Sequence, residues 1–522
     1  MSQPAANCGN QTITRGTTRP YIGRSRQFKR SRNGCLNCRH RKKKCGEERP
    51  RCLGCRRNNL NCTWQADQNE TAAASPRLSD GTIASPDEGP PSGRGDSPPW
   101  PTDVSIGASI WNASLGSFLD SRRPCTLSQA SPLLLQHYVT TTATMLPMPL
   151  RENAFLREFI PIASVDDMVM HSVLAVSGAH MNFRNASPGT IQEATLDHYS
   201  TLVRQILVEV SELKTSSVNK LARLLLVLVM LCHFEAISGS NKGAIFRHLS
   251  ASREIIVEIQ SRQCTEPLGL DSATHFGLGL ELYAYLTVAN CLTPYGLLQE
   301  RMFSLDSFIT SPSSLAVYST FGTMFAGLHD LFALIPQTSL LFSQRLMEQE
   351  SGILEPTSAS VELHEKLQLC LKDWKLRHQD PGSSSSSDYC EGGLSKVSKI
   401  LQLGIEIYLI AAMEGSSILN PKIVCQFQSH LDVIHDIGLD LDCSQWSATL
   451  LWPVIISGSC TIQKQQQETL SKALRESRYR MNHNIRTIEL LRRLWDNPDP
   501  LVYGPYGLYL TISRHDAAFS IF

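Results

Sequence analysis

The sequence predicts a mainly α protein with a small cysteine-rich head, a disordered linker and a large all-helical domain. Three observations predict this order. Six of the 16 cysteines lie close together near the N-terminus, and a stretch rich in Ser, Pro, Gly and Ala follows them. From about residue 131, apolar residues recur every three or four positions, the spacing of an amphipathic helix. We therefore divide the chain into residues 1–30, 31–65, 66–130 and 131–522.

The clustered cysteines repeat one three-cysteine unit. Their spacing is Cys-x2-Cys-x6-Cys-x6-Cys-x2-Cys-x6-Cys, and the set is Cys35, Cys38, Cys45, Cys52, Cys55 and Cys62. A structural zinc site takes four tetrahedral ligands, with thiolate the commonest. Two zinc ions need eight bonds from six sulfurs, so the count closes only if two cysteines each bridge both ions. The repeat predicts that Cys35 and Cys52 are those bridges.

Positive charge is concentrated around these cysteines. Residues 1–64 hold 16 Lys or Arg and 2 acids, a net charge of +14, whereas the remainder holds 33 Lys or Arg and 46 acids, a net charge of −13. The overall charge of +1 therefore conceals a strongly basic head. Such a head indicates a polyanionic partner, bound with an affinity that falls steeply with salt.

Three other interpretations of the cluster fit less well. A disulfide framework requires a secreted chain, yet residues 1–20 are polar and lack an apolar signal core. A RING or LIM zinc site usually uses His ligands over a longer span, and His40 lies inside the expected helix. A metal-storage peptide would not need so many cations.

The stretch from Cys35 to Cys62 resembles the fungal zinc binuclear-cluster (Zn2Cys6) DNA-binding domain. The resemblance rests on all six cysteines, the basic run Arg39–Lys44, Pro50 in the central loop and the sequence Arg57-Asn58-Asn59. One departure is Lys43, where many members carry an apolar residue. The resemblance implies two bound Zn2+ ions, double-stranded promoter DNA as the partner and a nuclear location.

The basic residues of this head can be assigned roles. Residues Cys38 to Lys44 fit a short helix that presents its end to the major groove. Family members contact a CGG triplet from helix positions just before the third cysteine, so we expect Arg41 and Lys42 to read bases, with Lys42 the principal reader. Phosphate contacts are expected from the surrounding cations. These are Arg39, Lys44, Arg56 and Arg57, and Lys43 completes the predicted DNA-binding set.

The segments on either side of the head are predicted to be disordered. Residues 24–32 carry five cations without apolar periodicity, which is typical of a flexible basic arm or a nuclear import signal. Residues 66–130 cannot bury enough apolar surface to offset the entropy of ordering. No apolar heptad repeat follows the head, so zipper-type dimerisation is not expected. Homodimerisation through another surface and monomeric binding both stay open.

The region from 131 to 522 is predicted to be one helical domain. The periodic segments include residues 202–213 and nine others. These are Asp166–His180, Val218–Ile237, Ile245–Ile259, His275–Leu292, Val317–Leu334, Val361–Trp374, Val397–Met413, Trp446–Cys460 and Asn484–Trp495. The run Leu224–Cys232 is too short for a membrane span and is expected to be a buried helix, so no membrane partner is predicted. The serine-rich stretch Gly382–Asp388 is expected to be an exposed loop.

This region resembles the helical regulatory domain that follows the cluster in many fungal transcription factors, including the acriflavine-sensitivity control type. The resemblance rests on the segments Leu133–Leu146, His171–Met181 and Leu450–Cys460, with Trp495 near the end. The last stretch, Tyr503 to Phe522, departs from the apolar helix that usually closes the domain.

No catalytic function is expected. The sequence contains no Gly-x-Ser-x-Gly elbow, Gly-x4-Gly-Lys loop, His-Glu-x2-His site or Gly-x-Gly-x2-Gly fingerprint. His171, His180 and His233 lie in apolar helical segments and are predicted to be ordinary core or surface residues. The ten cysteines outside the cluster lack metal-ligand spacing.

These observations favour a nuclear, sequence-specific RNA polymerase II transcription factor that reads CGG-like half-sites. From the resemblance alone we expect an activator that contacts the transcription machinery or coactivators, with a secondary-metabolite gene cluster as an example of its pathway. The alternative is a helical ligand-sensing or interaction protein in which DNA binding is subordinate. A zinc-dependent RNA binder is disfavoured because the head lacks the aromatic residues that stack on single strands.

Overall fold

The computed structural model describes parts of the head and most of the helical region. Eight residues of the head are described, namely 35, 38, 45, 47, 48, 52, 53 and 55. In the helical region these are 128–146, 153–185, 189–239, 243–297, 305–325, 327–378, 389–439, 441, 447–477 and 481–515. They fall in two compact units, one within residues 1–100 and the other within residues 101–522.

Within the described residues of the larger unit, the regular elements are all helical, which confirms the predicted mainly α fold. The α-helices are α1 (Ser131–His137), α2 (Ala154–Arg157), α3 (Phe159–Val165), α4 (Asp167–Asn185), α5 (Gly189–Ser211), α6 (Val218–Ser238), α7 (Ala244–Arg262), α8 (Leu270–Ala289), α9 (Ser307–Thr310), α10 (His329–Phe332), α11 (Leu334–Glu350), α12 (Ser358–His378), α13 (Tyr389–Glu414), α14 (Pro421–Leu439), α15 (Ser447–Ser459), α16 (Lys464–Glu476), α17 (Asn482–Trp495) and α18 (Gly504–His515).

Helix α6 forms the centre of the first half of this unit. The Ser217 hydroxyl caps its start by accepting the N–H of Lys220 at 3.3 Å, and Gly239 ends it in a left-handed conformation with φ 69°. Helices α4, α7 and α8 pack around it. By length and composition α6 could cross a membrane, with a mean hydropathy of 1.9, but 89% of its most apolar window is buried in the domain. The predicted buried helix at residues 224–232 is therefore confirmed.

Helix α13 forms the centre of the second half. Helices α11, α14, α15 and α18 pack against it. The two halves share one hydrophobic core. Side chains of the second half also bind the backbone that follows α8. Trp452 Nε1 donates to the carbonyl of Cys291 at 3.0 Å, and Ser339 Oγ donates to the carbonyl of Thr293 at 2.7 Å. The large helical region is thus one packed array.

The predicted segments match the observed helices at every place but one. Nine predicted segments coincide with observed helices, and most of the predicted and observed ends differ by only a few residues. These helices are α4 to α8, α12, α13, α15 and α17. The prediction of a helix over Val317–Leu334 is wrong. A short 3-10 helix, Pro312–Val317, ends there, and residues 318–325, 327 and 328 are not helical before α10 begins at His329.

A buried carboxylate explains this exception. Glu281, on α8, is fully buried and accepts the backbone N–H groups of Gly322, Met324 and Phe325 at 3.1, 2.8 and 3.3 Å. Gly322 has φ 95°, which a helix does not allow. The loop therefore exchanges helical hydrogen bonds for bonds to this carboxylate, although its apolar residues recur at helical spacing.

The C-terminal stretch contains a packed helix. Residues 503–522 depart from the family's closing apolar helix, yet α18 forms there and packs against α13, α15 and α17. Leu508 and Ile512 bury their side chains in these contacts. Tyr506 and Leu510 are partly buried and pack against the same core, so tertiary contacts stabilise this helix.

The three histidines considered in the sequence are core residues with hydrogen bonds. His171 pairs with His198 through their Nδ1 atoms at 2.8 Å, and His180 Nδ1 lies 3.0 Å from the hydroxyl of Thr142. His233 Nδ1 lies 2.8 Å from the carbonyl of Val229. Burial lowers the pKa of His233 to about 4, so its ring is neutral at physiological pH.

Candidate metal centre and nucleic-acid interface

The described thiols of the head form one buried cluster. Cys35 Sγ lies 3.8 Å from Cys52 Sγ and 3.6 Å from Cys55 Sγ. Cys38 Sγ lies 3.6 Å and 3.9 Å from the same two atoms. All four side chains and that of Cys45 are at most 6% exposed. The two sequence units therefore meet through their sulfurs.

Backbone hydrogen bonds repeat from one unit to the other. The N–H of Cys38 donates to Cys35 Sγ at 3.4 Å, and the N–H of Cys55 donates to Cys52 Sγ at 3.3 Å. Cys38 and Cys55 are helical, so each N–H belongs to a first turn that has no intrahelical acceptor for it. The first cysteine of each unit thus accepts an otherwise unpaired donor. This equivalence supports the pseudo-symmetry that the spacing indicates.

The connection between the units contains two features that the sequence analysis missed. Glu47 has φ 64°, uncommon for a residue with a side chain, and its N–H donates to Cys45 Sγ at 3.4 Å. The carboxylate of Glu48 accepts the N–H of Leu53 at 2.9 Å, where the helical turn of the second cysteine unit begins. Glu48 lies four residues before Cys52, after which the helical turn begins, and an acidic residue near a helix N-terminus is the sequence signal that could have predicted this cap.

The sulfur positions fit zinc. The thiols of Cys35, Cys38, Cys45 and Cys52 lie within 4.8 Å of one another. A tetrahedral site with zinc–sulfur bonds of about 2.3 Å has edges of about 3.8 Å, close to the separations observed. This set is the first unit plus the first cysteine of the second, the composition that bridging by Cys52 requires. In the second set, Cys35 and Cys52 would hold zinc with Cys55 and Cys62.

Electrostatics also favour a divalent cation at this place. Burial raises the pKa of the Cys38 thiol, and hydrogen bonds with neighbouring thiols raise it further. Burial acts in the same direction on Cys52, but the N–H of Cys55 and neighbouring thiols lower its pKa to about 6. Without a cation these crowded sulfurs cannot all be thiolates, since like charges repel. Two zinc ions would offset four of the six thiolate charges and cross-link the two units, which is a structural role.

The remaining predicted site residues lie outside the described residues. They are the sixth cysteine and the whole predicted DNA-binding set, namely Cys62, Arg39, Arg41, Lys42, Lys43, Lys44, Arg56 and Arg57. The basic arm, residues 66–127 of the linker and the loop 382–388 lie outside them as well.

Comparison with known families agrees with the fold and the cysteine site. Residues 33–71 match the fungal Zn(2)-Cys(6) binuclear cluster domain, and residues 133–502 match the fungal specific transcription factor domain. A zinc-cluster head together with this helical domain defines a class of DNA-binding regulators. The chain belongs to the family of fungal specific transcription factors, because the second match covers most of its length. The binuclear zinc cofactor is thereby confirmed.

Individual relatives are similar over short stretches. The zinc cluster transcription factor CZF1 of Candida albicans is 69% identical over 36 residues, which are 7% of this chain and 9% of that protein. UME6, a transcriptional regulatory protein of Saccharomyces cerevisiae, is 58% identical over 40 residues, 8% of this chain and 5% of the relative. The transcriptional activator protein UGA3 of the same yeast is 23% identical over 167 residues, about a third of each chain. No solved structure matches.

Proposed function

We propose that the protein is a nuclear, sequence-specific RNA polymerase II transcription factor that binds promoter DNA at CGG-like half-sites. Membership of the family supports a DNA-binding transcription regulator. The CGG-like target sequence goes beyond what the family shows and is proposed here. Activation is favoured because the similar UGA3 is named a transcriptional activator. We propose that the protein controls the genes of one pathway, for example a biosynthetic gene cluster for a secondary metabolite.

The observation that carries this proposal is the tethering of the basic run at both ends. Cys38 and Cys45 flank residues 39–44, and their sulfurs are members of one four-thiol set within 4.8 Å. Cys38 is already helical. Metal binding at both flanking cysteines would therefore hold six residues, five of them Lys or Arg, in one compact turn. Such restraint lowers the entropy cost of placing cations against DNA.

Within that turn, Arg41 and Lys42 are the proposed base readers. Lys and Arg donors suit the O6 and N7 acceptors of guanine, which matches a G-rich triplet. The flanking cations contact phosphates, which position the head without reading sequence. We propose four segments with the limits 1–30, 31–65, 66–130 and 131–522. We further propose that the helical domain, residues 131–522, contacts coactivators.

Selection of duplexes from a random pool tests this function. The head, as residues 21–70, and the full chain are each used as bait, and the enriched sequences are compared. Enrichment of a CGG-like triplet by both supports the proposal, and enrichment of no sequence above the input pool contradicts it. A fixed pair of triplets that appears only with the full chain assigns dimerisation to the helical region. A single triplet with both baits indicates a monomer.

A further inference from the structure

Helices α13 to α16 enclose a cavity that the function above does not use. Its volume is about 350 Å³, within the range of small-molecule sites. Each helix contributes a leucine or isoleucine to the wall, respectively Ile400, Leu431, Leu450 and Leu470. The first three are buried and Leu470 is half-buried. The cavity therefore has an apolar body, open to solvent on one side.

The polar groups on its wall are mainly acceptors. Ser457 and Thr461 donate their hydroxyl hydrogens to the carbonyls of Pro453 and Ser457, at 2.7 and 3.3 Å. Thr469 donates to the carbonyl of Gln465 at 2.9 Å. These hydroxyl oxygens keep lone pairs for another donor. Gln466 also lines the cavity, and its buried Oε1 accepts no hydrogen bond from the described residues.

The described wall contains no Lys, Arg, Asp or Glu, and its one imidazole, that of His435, is exposed at the edge. A second cavity, of about 370 Å³ between α12, α13 and α14, has a different character, because Lys375, Glu406 and His430 line it. The described wall of the first cavity contains no lysine or arginine to hold a carboxylate or a phosphate. An uncharged ligand with a hydrogen-bond donor would satisfy its acceptors.

We propose that the cavity between α13 and α16 binds a small, neutral, apolar molecule that bears a hydroxyl group, such as a phenol. The apolar body of the ligand fills the space between the four helices, and its hydroxyl donates to an acceptor oxygen of Gln466 or of a neighbouring hydroxyl. A buried acceptor without a donor is unfavourable, and a ligand that donates a hydrogen bond would satisfy it. The cavity thus discriminates a phenol from a hydrocarbon of the same shape.

Binding would tie α16 to the rest of the domain. Helix α16 packs chiefly against α17, whereas its side chains at 466, 469, 470 and 473 face the cavity. A ligand that touches α13, α14, α15 and α16 together adds contacts between α16 and the central helix. The effector role of such a ligand rests on the proposed transcriptional function, but the binding itself does not.

The test uses the zinc-loaded full chain without DNA and three naphthalene probes. We expect 2-naphthol to bind by calorimetry and to raise the melting temperature. We expect 2-methylnaphthalene, which lacks a donor, and 2-naphthoate, which is anionic, to bind at least about tenfold more weakly. Ala473→Trp, at an exposed position of the wall, should abolish 2-naphthol binding. Lys472→Trp is the matched control, since Lys472 is exposed on the same helix and does not line the cavity.

A second variant separates recognition from folding. Gln466→Leu should lower the affinity for 2-naphthol about tenfold and leave that for 2-methylnaphthalene within about twofold. Absence of 2-naphthol binding to the wild-type chain overturns the proposal, as does undiminished binding to a folded Ala473→Trp variant. Equal affinity for 2-naphthoate also overturns it, because a neutral, apolar site should not accept an anion; the cavity lined by Lys375 and His430 would then be the expected binding site. Because DNA is absent, none of these outcomes depends on the proposed function.

Discussion

Cys52 is the residue at which the two units of the head meet. Its Sγ contacts Cys35 and Cys38 of the first unit and accepts the N–H of Cys55 in its own. The same position in the first unit, Cys35, accepts the N–H of Cys38. These equivalent environments agree with equivalent, bridging roles for the two cysteines. The hydrogen bonds also orient the sulfurs, as partners of metal ligands commonly do.

Substitution of Lys42 tests the proposed base contact. Lys42→Ala should cost about 1–3 kcal/mol in binding free energy on a duplex with the selected CGG-like triplet, and much less on a scrambled duplex. Arg56→Ala, at a proposed phosphate contact, is the comparison and should weaken both duplexes alike. Fluorescence anisotropy at one fixed salt concentration measures all four affinities. An equal loss on both duplexes for Lys42→Ala would show that this residue contacts phosphate instead.

In the helical region, Glu406 joins three helices through one carboxylate. It accepts hydrogen bonds from Lys375 Nζ at 2.6 Å, Gln402 Nε2 at 2.8 Å and His430 Nε2 at 3.1 Å. His430 Nδ1 lies 2.7 Å from the carbonyl of Gln426. Both partners of this ring are acceptors, an arrangement that favours the doubly protonated, positively charged form of the ring. The hydrogen bond to Glu406 accordingly raises the pKa of His430.

This network predicts a dependence of stability on pH. Burial would raise the pKa of Glu406, but hydrogen bonds from His430, Lys375 and Gln402 lower it to about 2. A lowered pKa in the folded state gives stability that is present above about pH 4.5 and is lost as the pH falls toward 2. At pH 6, Glu406→Gln should lower the free energy of unfolding by about 1–2 kcal/mol, after allowance for partial exposure.

Urea unfolding of both proteins between pH 6 and pH 3 measures this effect. The difference between wild type and Glu406→Gln should shrink by at least about half over that range. Glu365→Gln, at an exposed position of α12, should follow the wild-type profile throughout. A difference that stays constant with pH would mean that Glu406 acts through packing alone.

At the scale of elements, the loop between α9 and α10 depends on a single side chain of α8. Glu281→Leu leaves the N–H groups of Gly322, Met324 and Phe325 without their acceptor and should lower the free energy of unfolding by about 2–5 kcal/mol. Glu281→Gln keeps one acceptor oxygen and should cost less than half as much. Urea unfolding is the measurement, with the exposed Glu254→Leu on α7 as control. Unfolding of Glu281→Leu at wild-type urea concentrations would contradict this role.

The same loop shows where sequence reasoning reached its limit. Apolar spacing predicts α6 and α13 well because both are buried on nearly every side and neighbouring helices enforce the pattern. The spacing over 317–334 is equally helical, yet Glu281 lies 41 residues before Gly322 and redirects its backbone. Local periodicity contains no information about such a distant acceptor. Burial raises the pKa of Glu281 to about 7, against the effect of its backbone hydrogen bonds, and the sequence gives no sign of this either.

The cysteine site was predictable for a different reason. Ligand number and spacing are stoichiometric constraints, so six sulfurs and two zinc ions leave few arrangements. The positive φ of Glu47 and the cap by Glu48 follow from the path of the chain between units, which spacing does not specify. Likewise, the cavity between α13 and α16 arises from the crossing of four helices and could not be read from any one of them.

On the scale of the whole molecule, the charge separation and the metal act together. The first 64 residues have a formal net charge of +14, which would attract DNA without sequence preference, while the remaining chain carries −13. Sequence recognition requires in addition that the cations be held in one geometry, and we propose that the zinc–sulfur cluster provides this restraint. Removal of zinc should therefore abolish specific binding and leave a weak, salt-sensitive affinity for any duplex.

The most direct test is the zinc content and DNA affinity of the full chain before and after chelation. We predict two zinc ions per chain, a loss of at least about 100-fold in affinity for the CGG-containing duplex on chelation, and recovery with Zn2+ but not with Mg2+. Far-UV circular dichroism should change little, since the large helical region contains no part of the cysteine cluster. Fewer than two zinc ions per chain, or specific binding that survives chelation, would contradict the central claim.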